Sequence, residues 1–131
     1  MINTKLSTVA LQGQDQVEVV MHQRAHLDAT GMAETLRSCQ SLRSDGALRI
    51  LIELPVDADF NMTFMKKDHF KEAGMQSCTA ALALATGNPF LERLMGLYFA
   101  YYPQPFPIRI HRTRAEALAW LQEAQENRGV A

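Results

Sequence analysis

The chain has 131 residues, 47% of them hydrophobic and 21% charged, with 7 Gly and 5 Pro scattered along it. That is the size and make-up of one globular domain covering 1–131, and it excludes a disordered or collagen-like chain. Thirteen Lys and Arg against fourteen Asp and Glu leave a net charge of -1, too weak a field to gather DNA or RNA, so no nucleic-acid partner is expected.

The elements follow in chain order. Ser7 to Gln12 and Val17 to Gln23 are short apolar, β-branched runs separated by Gly13-Gln14-Asp15-Gln16, which reads as an antiparallel hairpin. From Asp28 to Leu42, Met32, Leu36, Cys39 and Leu42 recur at helical spacing, and Asp28 or Thr30 can cap that first helix. After a turn at Ser44-Asp45-Gly46, the run from Ala47 to Leu54 is nearly all apolar and is closed by Pro55, the mark of a central strand. Val56 to Met75 is looser, with a short second helix within Phe64 to Lys71. Thr79 to Thr86 is another buried strand, ended by Gly87-Asn88-Pro89. There Asn88 caps, and Pro89 takes the first helical position of a helix running to about Tyr102. Ile108 to His111 is a short last strand. Thr113-Arg114-Ala115-Glu116 then has the capping-box pattern for a final helix with Ala117, Leu118, Trp120, Leu121 and Ala124 on its apolar face and a charged tail, Glu123 to Arg128, that should fray.

The resulting order, β-β-α-β-(α)-β-α-β-α, predicts an α/β fold with a mixed, mainly parallel sheet of about five strands flanked by helices. The stretch from Thr79 to Leu121 resembles the SpoIIAA-like family of bacterial proteins, grouped with STAS and Sec14-like folds. The likeness is carried by a strand, Asn88-Pro89, a hydrophobic helix, a short strand with Arg109, and the ending Glu116-Ala117-Leu118-Ala119-Trp120-Leu121. The resemblance implies a small non-enzymatic binding or regulatory module, similar to anti-sigma-factor antagonists whose phosphorylatable Ser follows a central strand. Here the loop after Leu54 departs from that pattern. It reads Pro55-Val56-Asp57-Ala58-Asp59-Phe60-Asn61-Met62, with Thr63 the nearest hydroxyl, and a phosphate there would meet the like charges of Asp57 and Asp59.

Motifs for catalysis and metals are weak. Cys39 and Cys78 stand far apart with no C-x-x-C spacing, so two buried reduced thiols are expected rather than a disulfide framework or a zinc site. His22 and His26 fall at a strand end, too far apart for easy joint ligation, and no nucleophile signature or phosphate-cradling glycine loop is present; no cofactor is expected. Asp57 and Asp59, with Glu53 upstream and Asn61 beyond, are the polar candidates at the carboxyl end of the central strand. An enzyme built on Asp57, Asp59 and His69 has no motif behind it. The clusters Lys66, Lys67, Lys71 and Arg109, Arg112, Arg114 read as solvated faces.

The informative feature is surplus hydrophobicity. A helix on a sheet needs one apolar stripe, which Leu91, Leu94, Met95, Tyr98 and Tyr102 supply. That leaves Phe90, Leu97, Phe99, Tyr101 and Phe106 in need of another home. Phe60, Met62, Phe64, Met65 and Phe70 form a second surplus, interleaved with Lys66, Lys67 and Lys71, a mixture that suits a mobile lid. Two readings follow. In one, Phe60, Phe64, Met65, Lys66, Lys67, Phe70, Phe90, Leu97, Tyr101 and Tyr102 form an apolar pocket or surface for a small lipid-like ligand or a peripheral membrane contact. In the other, the same aromatics form a protein-interaction or homodimer interface. With no basic-then-apolar leader and no run of about 20 apolar residues, the expected location is the cytoplasm, with peripheral membrane contact as an option.

Overall fold

A computed structural model describes residues 1–42 and 46–130, with side chains to residue 124 in the last helix. Six strands form one sheet in the order β1 (Ile2–Asn3), β2 (Ser7–Gln12), β3 (Gln16–Met21), β5 (Leu48–Leu54), β7 (Thr79–Thr86), β8 (Ile108–His111). The pairs β1–β2 and β2–β3 are antiparallel, and every pair from β3 to β8 is parallel. The predicted hairpin and central strands are thus in place. The sixth strand, β1, is two residues long and gives no periodic signal. A second ladder pairs β4 (His26–Leu27) with β6 (Asp59–Phe60) and ties the loop after β3 to the loop after β5.

Helix α1 (Ala29–Leu42) is capped by Asp28, whose Oδ1 accepts the Gly31 amide at 2.7 Å, so of the two caps weighed it is Asp28 that serves. Gly31 is where α1 meets the sheet edge. A Cβ there would lie 2.6 Å from Leu6 Cγ and 2.9 Å from Asp28 Oδ1, so any side chain would push the helix off the hairpin. The buried hydroxyls of Ser7 and Thr35, 2.8 Å apart, satisfy each other across the same contact. Of the turn at Ser44-Asp45-Gly46, only Gly46 is among the described residues.

Three parallel connections step across the sheet in one direction, so crossovers of one hand place their helices on one face. Against that face pack α1, a 3-10 turn (Met62–Lys66), the one-turn helix α2 (His69–Glu72) and α3 (Pro89–Tyr101), over Val17, Val19, Ile50, Ile52, Leu82 and Leu84. Among the described residues, helix α4 (Arg114–Val130) alone covers the other face. Ala81, Ala83 and Ala85 alternate on that side of β7 and are small enough for Ala117 and Leu121 to reach the sheet beside Leu51. The Thr113–Glu116 signal is half of a capping box: Thr113 Oγ1 accepts the Glu116 amide at 3.2 Å, while Glu116 Oε1 turns to the Thr113 hydroxyl at 3.1 Å. The charged tail from Glu123 to Arg128 lies within α4, whose bounds reach Val130.

The face under α4 carries charge, including Arg114, which in the sequence reads as part of a solvated basic face. Arg49 is buried, donating to Asp15 from Nη2 at 2.9 Å and to the Leu121 carbonyl from Nη1 at 3.0 Å. Arg114 reaches over the sheet to pair with Glu18 and with Glu53, the latter at 2.9 Å. Arg114 is therefore no part of a solvated basic face, and Glu53 no part of an acid pair with Asp57 and Asp59. Of the two thiols, Cys39 is buried, and burial pushes it up to about 12, whereas Cys78 is half-buried rather than core.

Candidate functional site

The surplus apolar residues sort themselves on α3. The helix starts where expected: Asn88 Oδ1 accepts the amides of Phe90 (2.9 Å) and Leu91 (3.3 Å), and Pro89 fills the first turn. Asn88 Nδ2 also donates to the Val56 carbonyl at 2.9 Å, fixing the start of α3 to the loop after β5. From there Leu91, Met95 and Tyr98 point into the core. Phe106 is buried and Phe99 half-buried, each about 6 Å from the Phe70 ring, so two of the five unplaced residues have a home. Phe90, Leu97 and Tyr101 do not: they stay 61%, 63% and 75% exposed. With half-buried Leu94 they fall at i, i+4, i+7 and i+11, one line along the outward side of α3.

Beside that line lies the segment formed by the 3-10 turn and α2, which has no regular period in the sequence. It is stitched to α3 rather than loose. The Tyr98 hydroxyl donates to the Lys67 carbonyl at 2.7 Å and accepts the His69 amide at 2.9 Å, and the Tyr102 hydroxyl donates to the Met65 carbonyl at 3.1 Å. His69 is buried, its Nε2 donating to the Phe64 carbonyl at 2.7 Å, and burial, the larger effect, holds its pKa below the ordinary value. Burial likewise raises the Tyr98 phenol. Phe64 and Phe70 pack inside this seam and are buried, which corrects their assignment to a ligand surface. The gap they leave, between the sheet, Phe64 and Tyr98, has a volume of about 10 Å³, about enough for one water and far too small for a lipid, so the expected enclosed apolar pocket is filled by the protein's own aromatics.

What remains open is a surface groove of about 440 Å³ between the 3-10 turn and the second half of α3, lined by Met65, Lys66, Leu97, Tyr101 and Tyr102. All five belong to the surface inferred from sequence. At the other end of α3 the half-buried Phe60 stacks on Phe90 with centroids 6.0 Å apart, extending the apolar strip. Met62, 66% exposed, adds to the exposed apolar surface of the 3-10 turn and was absent from the inferred set. It follows Asn61, whose Oδ1 accepts the Thr63 amide at 2.9 Å; that cap was the available signal for a turn that leaves Met62 outside.

The polar candidates do not converge. Asp57 accepts the Arg24 amide at 2.9 Å, Asp59 pairs with His26 at 2.5 Å, and Asn61 caps the 3-10 turn. Lys67 pairs loosely with Glu72 at 3.8 Å, which leaves Lys66 as the cation of the groove. Among the described residues, no group of three His, Cys, Asp or Glu side chains is placed to hold a metal ion, and no helix is long and apolar enough to cross a membrane.

This architecture has a solved counterpart. The crystal structure of an uncharacterized protein from the DUF3478 family with a SpoIIAA-like fold, from Shewanella loihica PV-4, covers 92% of this chain and 99% of its own, with a TM-score of 0.61 at 12% identity. The fold of this chain is therefore SpoIIAA-like, as the resemblance of residues Thr79 to Leu121 implied. No curated protein matches the chain. Residues 19–125 match the family model described as a domain of unknown function, DUF7793.

Proposed function

This chain belongs to the DUF7793 family, and from that premise we propose that it is a non-enzymatic binding module whose working surface is the outward side of α3 with the adjoining 3-10 turn. The observation that carries this reading is the alignment of Phe90, Leu97 and Tyr101, all exposed, along one side of α3, where Leu97 and Tyr101 line a groove whose cation is Lys66. Bulky apolar side chains cost free energy when left in water, and such a strip on an otherwise well-buried fold marks a contact surface. A strip with aromatic, aliphatic and basic members suits an anionic amphiphile, a lipid presented at a membrane surface. The filled interior favours a ligand laid against α3 over one swallowed by the fold. A binding role is further supported by the engagement of Glu53, Asp57, Asp59 and His69 in separate structural contacts. The test is co-sedimentation with vesicles containing an anionic phospholipid, and with zwitterionic vesicles as control. Binding to the first that is lost in Leu97→Glu supports the reading. Absence of binding to either removes the lipid from it.

The spacing of Phe90, Leu94, Leu97 and Tyr101 also favours a second reading, a homodimer in which two α3 helices pack along this seam. Light scattering separates the two. A monomer that binds vesicles supports the first, and a dimer split by Tyr101→Glu supports the second.

A further inference from the structure

On the opposite side of the stitched segment from the groove, a crevice of about 90 Å³ opens between α1 and α2. Its walls are small, Ala29, Ala33 and Ala73, and its polar members are Arg37, Lys67, His69 and Glu72. We propose that this crevice is a binding site for a small tetrahedral oxyanion, free phosphate being the ligand of matching size and charge. On the measure by which about 10–15 Å³ takes one water, the space has room for several waters or for one such ion in their place.

The charge balance favours an anion. Arg37 projects from α1 and pairs with no carboxylate among the described residues, so its planar fork is free to bind two oxygens of one ion. Lys67 adds a second cation from the far wall. Glu72 opposes, but its contact with Lys67 is long, 3.8 Å, and both partners are more than half exposed, so the pair is weak and Lys67 can turn to a better acceptor.

The site is also held ready before any ion arrives. Gln40 Nε2 donates to the Ala73 carbonyl at 2.7 Å, clamping α1 to the end of α2. The His69 ring is fixed by the Phe64 carbonyl and lies nearly parallel to the Tyr98 ring, at 14° and 5.9 Å between centroids. Lys66 and Lys67, read in sequence as one basic run, thus serve two sites, the first lining the groove on α3 and the second this crevice.

The experiment is a titration of the full chain with sodium phosphate, followed by amide chemical shifts at constant ionic strength, with sodium chloride as reference. Expected are saturable shifts confined to 29–37 and 67–73. Arg37→Gln should weaken binding by about tenfold, the usual effect of losing a charged hydrogen bond. Glu72→Gln should tighten it, and Lys71→Gln, an exposed lysine of the same helix that does not line the crevice, should leave it unchanged. The same spectra report whether each variant is folded. Shifts that do not saturate, or a response that Arg37→Gln retains in full or that Lys71→Gln loses equally, overturn the site. If glycerol phosphate saturates these amides and inorganic phosphate does not, the oxyanion is carried on a larger molecule and the free ion is overturned as ligand. The vesicle assay on Leu97→Glu reads the other face of the segment, so either result stands without the other.

Discussion

Tyr98→Phe is the sharpest probe of how the segment beside the proposed binding surface is held. The substitution keeps the ring, and with it the contacts to Phe64, His69, Phe99 and Tyr102, and removes one oxygen. That oxygen serves two backbone groups at once, accepting from the His69 amide at 2.9 Å and donating to the Lys67 carbonyl at 2.7 Å. Both bonds fasten the segment at 62–72 to α3. The His69 residue is buried, so its amide finds no ready substitute in water, and an unsatisfied buried donor costs about 1–3 kcal/mol. With a urea slope of about 2 kcal/mol/M, a loss of ~2 kcal/mol lowers the unfolding midpoint by about 1 M at unchanged slope. Hydrogen exchange at the His69 amide should quicken before that of the sheet, because the seam opens locally. Tyr101→Phe is the control: its hydroxyl is on an exposed side chain and its removal should stay within about 0.5 kcal/mol. A midpoint for Tyr98→Phe equal to that of the control, with His69 exchange unchanged, would refute the view that this hydroxyl holds the segment closed.

Phe70→Ala, at a buried ring, should cost about 3–5 kcal/mol, whereas Phe90→Ala should leave the thermal midpoint nearly unmoved and weaken vesicle binding; calorimetry and co-sedimentation on the same samples check both. Arg114→Ala leaves buried Glu18 without its cation, and since the Arg114 side chain is 40% exposed the loss should be about 1–2 kcal/mol, shrinking when Glu18→Gln is combined with it in a double-mutant cycle. Burial lowers the folded-state pKa of both His69 and His111, so below about 6.5 the unfolded chain binds more protons than the folded one. Stability should therefore fall as pH drops through 6.5, levelling once pH is below the folded-state values. Urea midpoints between pH 7.5 and 5.5 measure the slope, and His69→Gln should reduce it.

The sheet was legible because its strands are short apolar runs that end on strong punctuation, Gly13, Pro55 and Gly87-Asn88-Pro89. The ladder of β4 and β6 was not, since two-residue strands have no periodicity and are set by pairing between Leu27 and Phe60, distant in sequence. The candidate surface divides in the same way. On α3 the helical period separates buried Leu91, Met95 and Tyr98 from exposed Phe90, Leu97 and Tyr101, and that separation was readable from spacing alone. In the segment 60–70 no regular period exists to say which of Phe60, Met62, Phe64, Met65 and Phe70 face inward. The answer comes from three hydroxyl contacts supplied by α3, and a hydroxyl's partner has no signature in a linear pattern.

The ionic groups show the same limit from the other side. Glu53 precedes the loop with Asp57 and Asp59 and reads with them as a cluster, but along a strand successive side chains alternate between faces. Glu53 sits opposite Val20 and Ala85 in the ladder, on the side of the sheet that carries Arg114, whereas the loop bends away to pair with Arg24 and His26. Proximity in sequence therefore overstated an acid pair and concealed an ion pair spanning 61 residues. Because α4 is the lone helix on that face among the described residues, its first turn depends on Arg114 gripping two glutamates of the sheet. The opposite face needs no such clasp, since α1, α2 and α3 bury apolar side chains there and still leave α3 with a second, unused apolar line. A fold with enough core to spare that line does not need it for stability, and this is the physical reason to read Phe90, Leu97 and Tyr101 as a surface for contact.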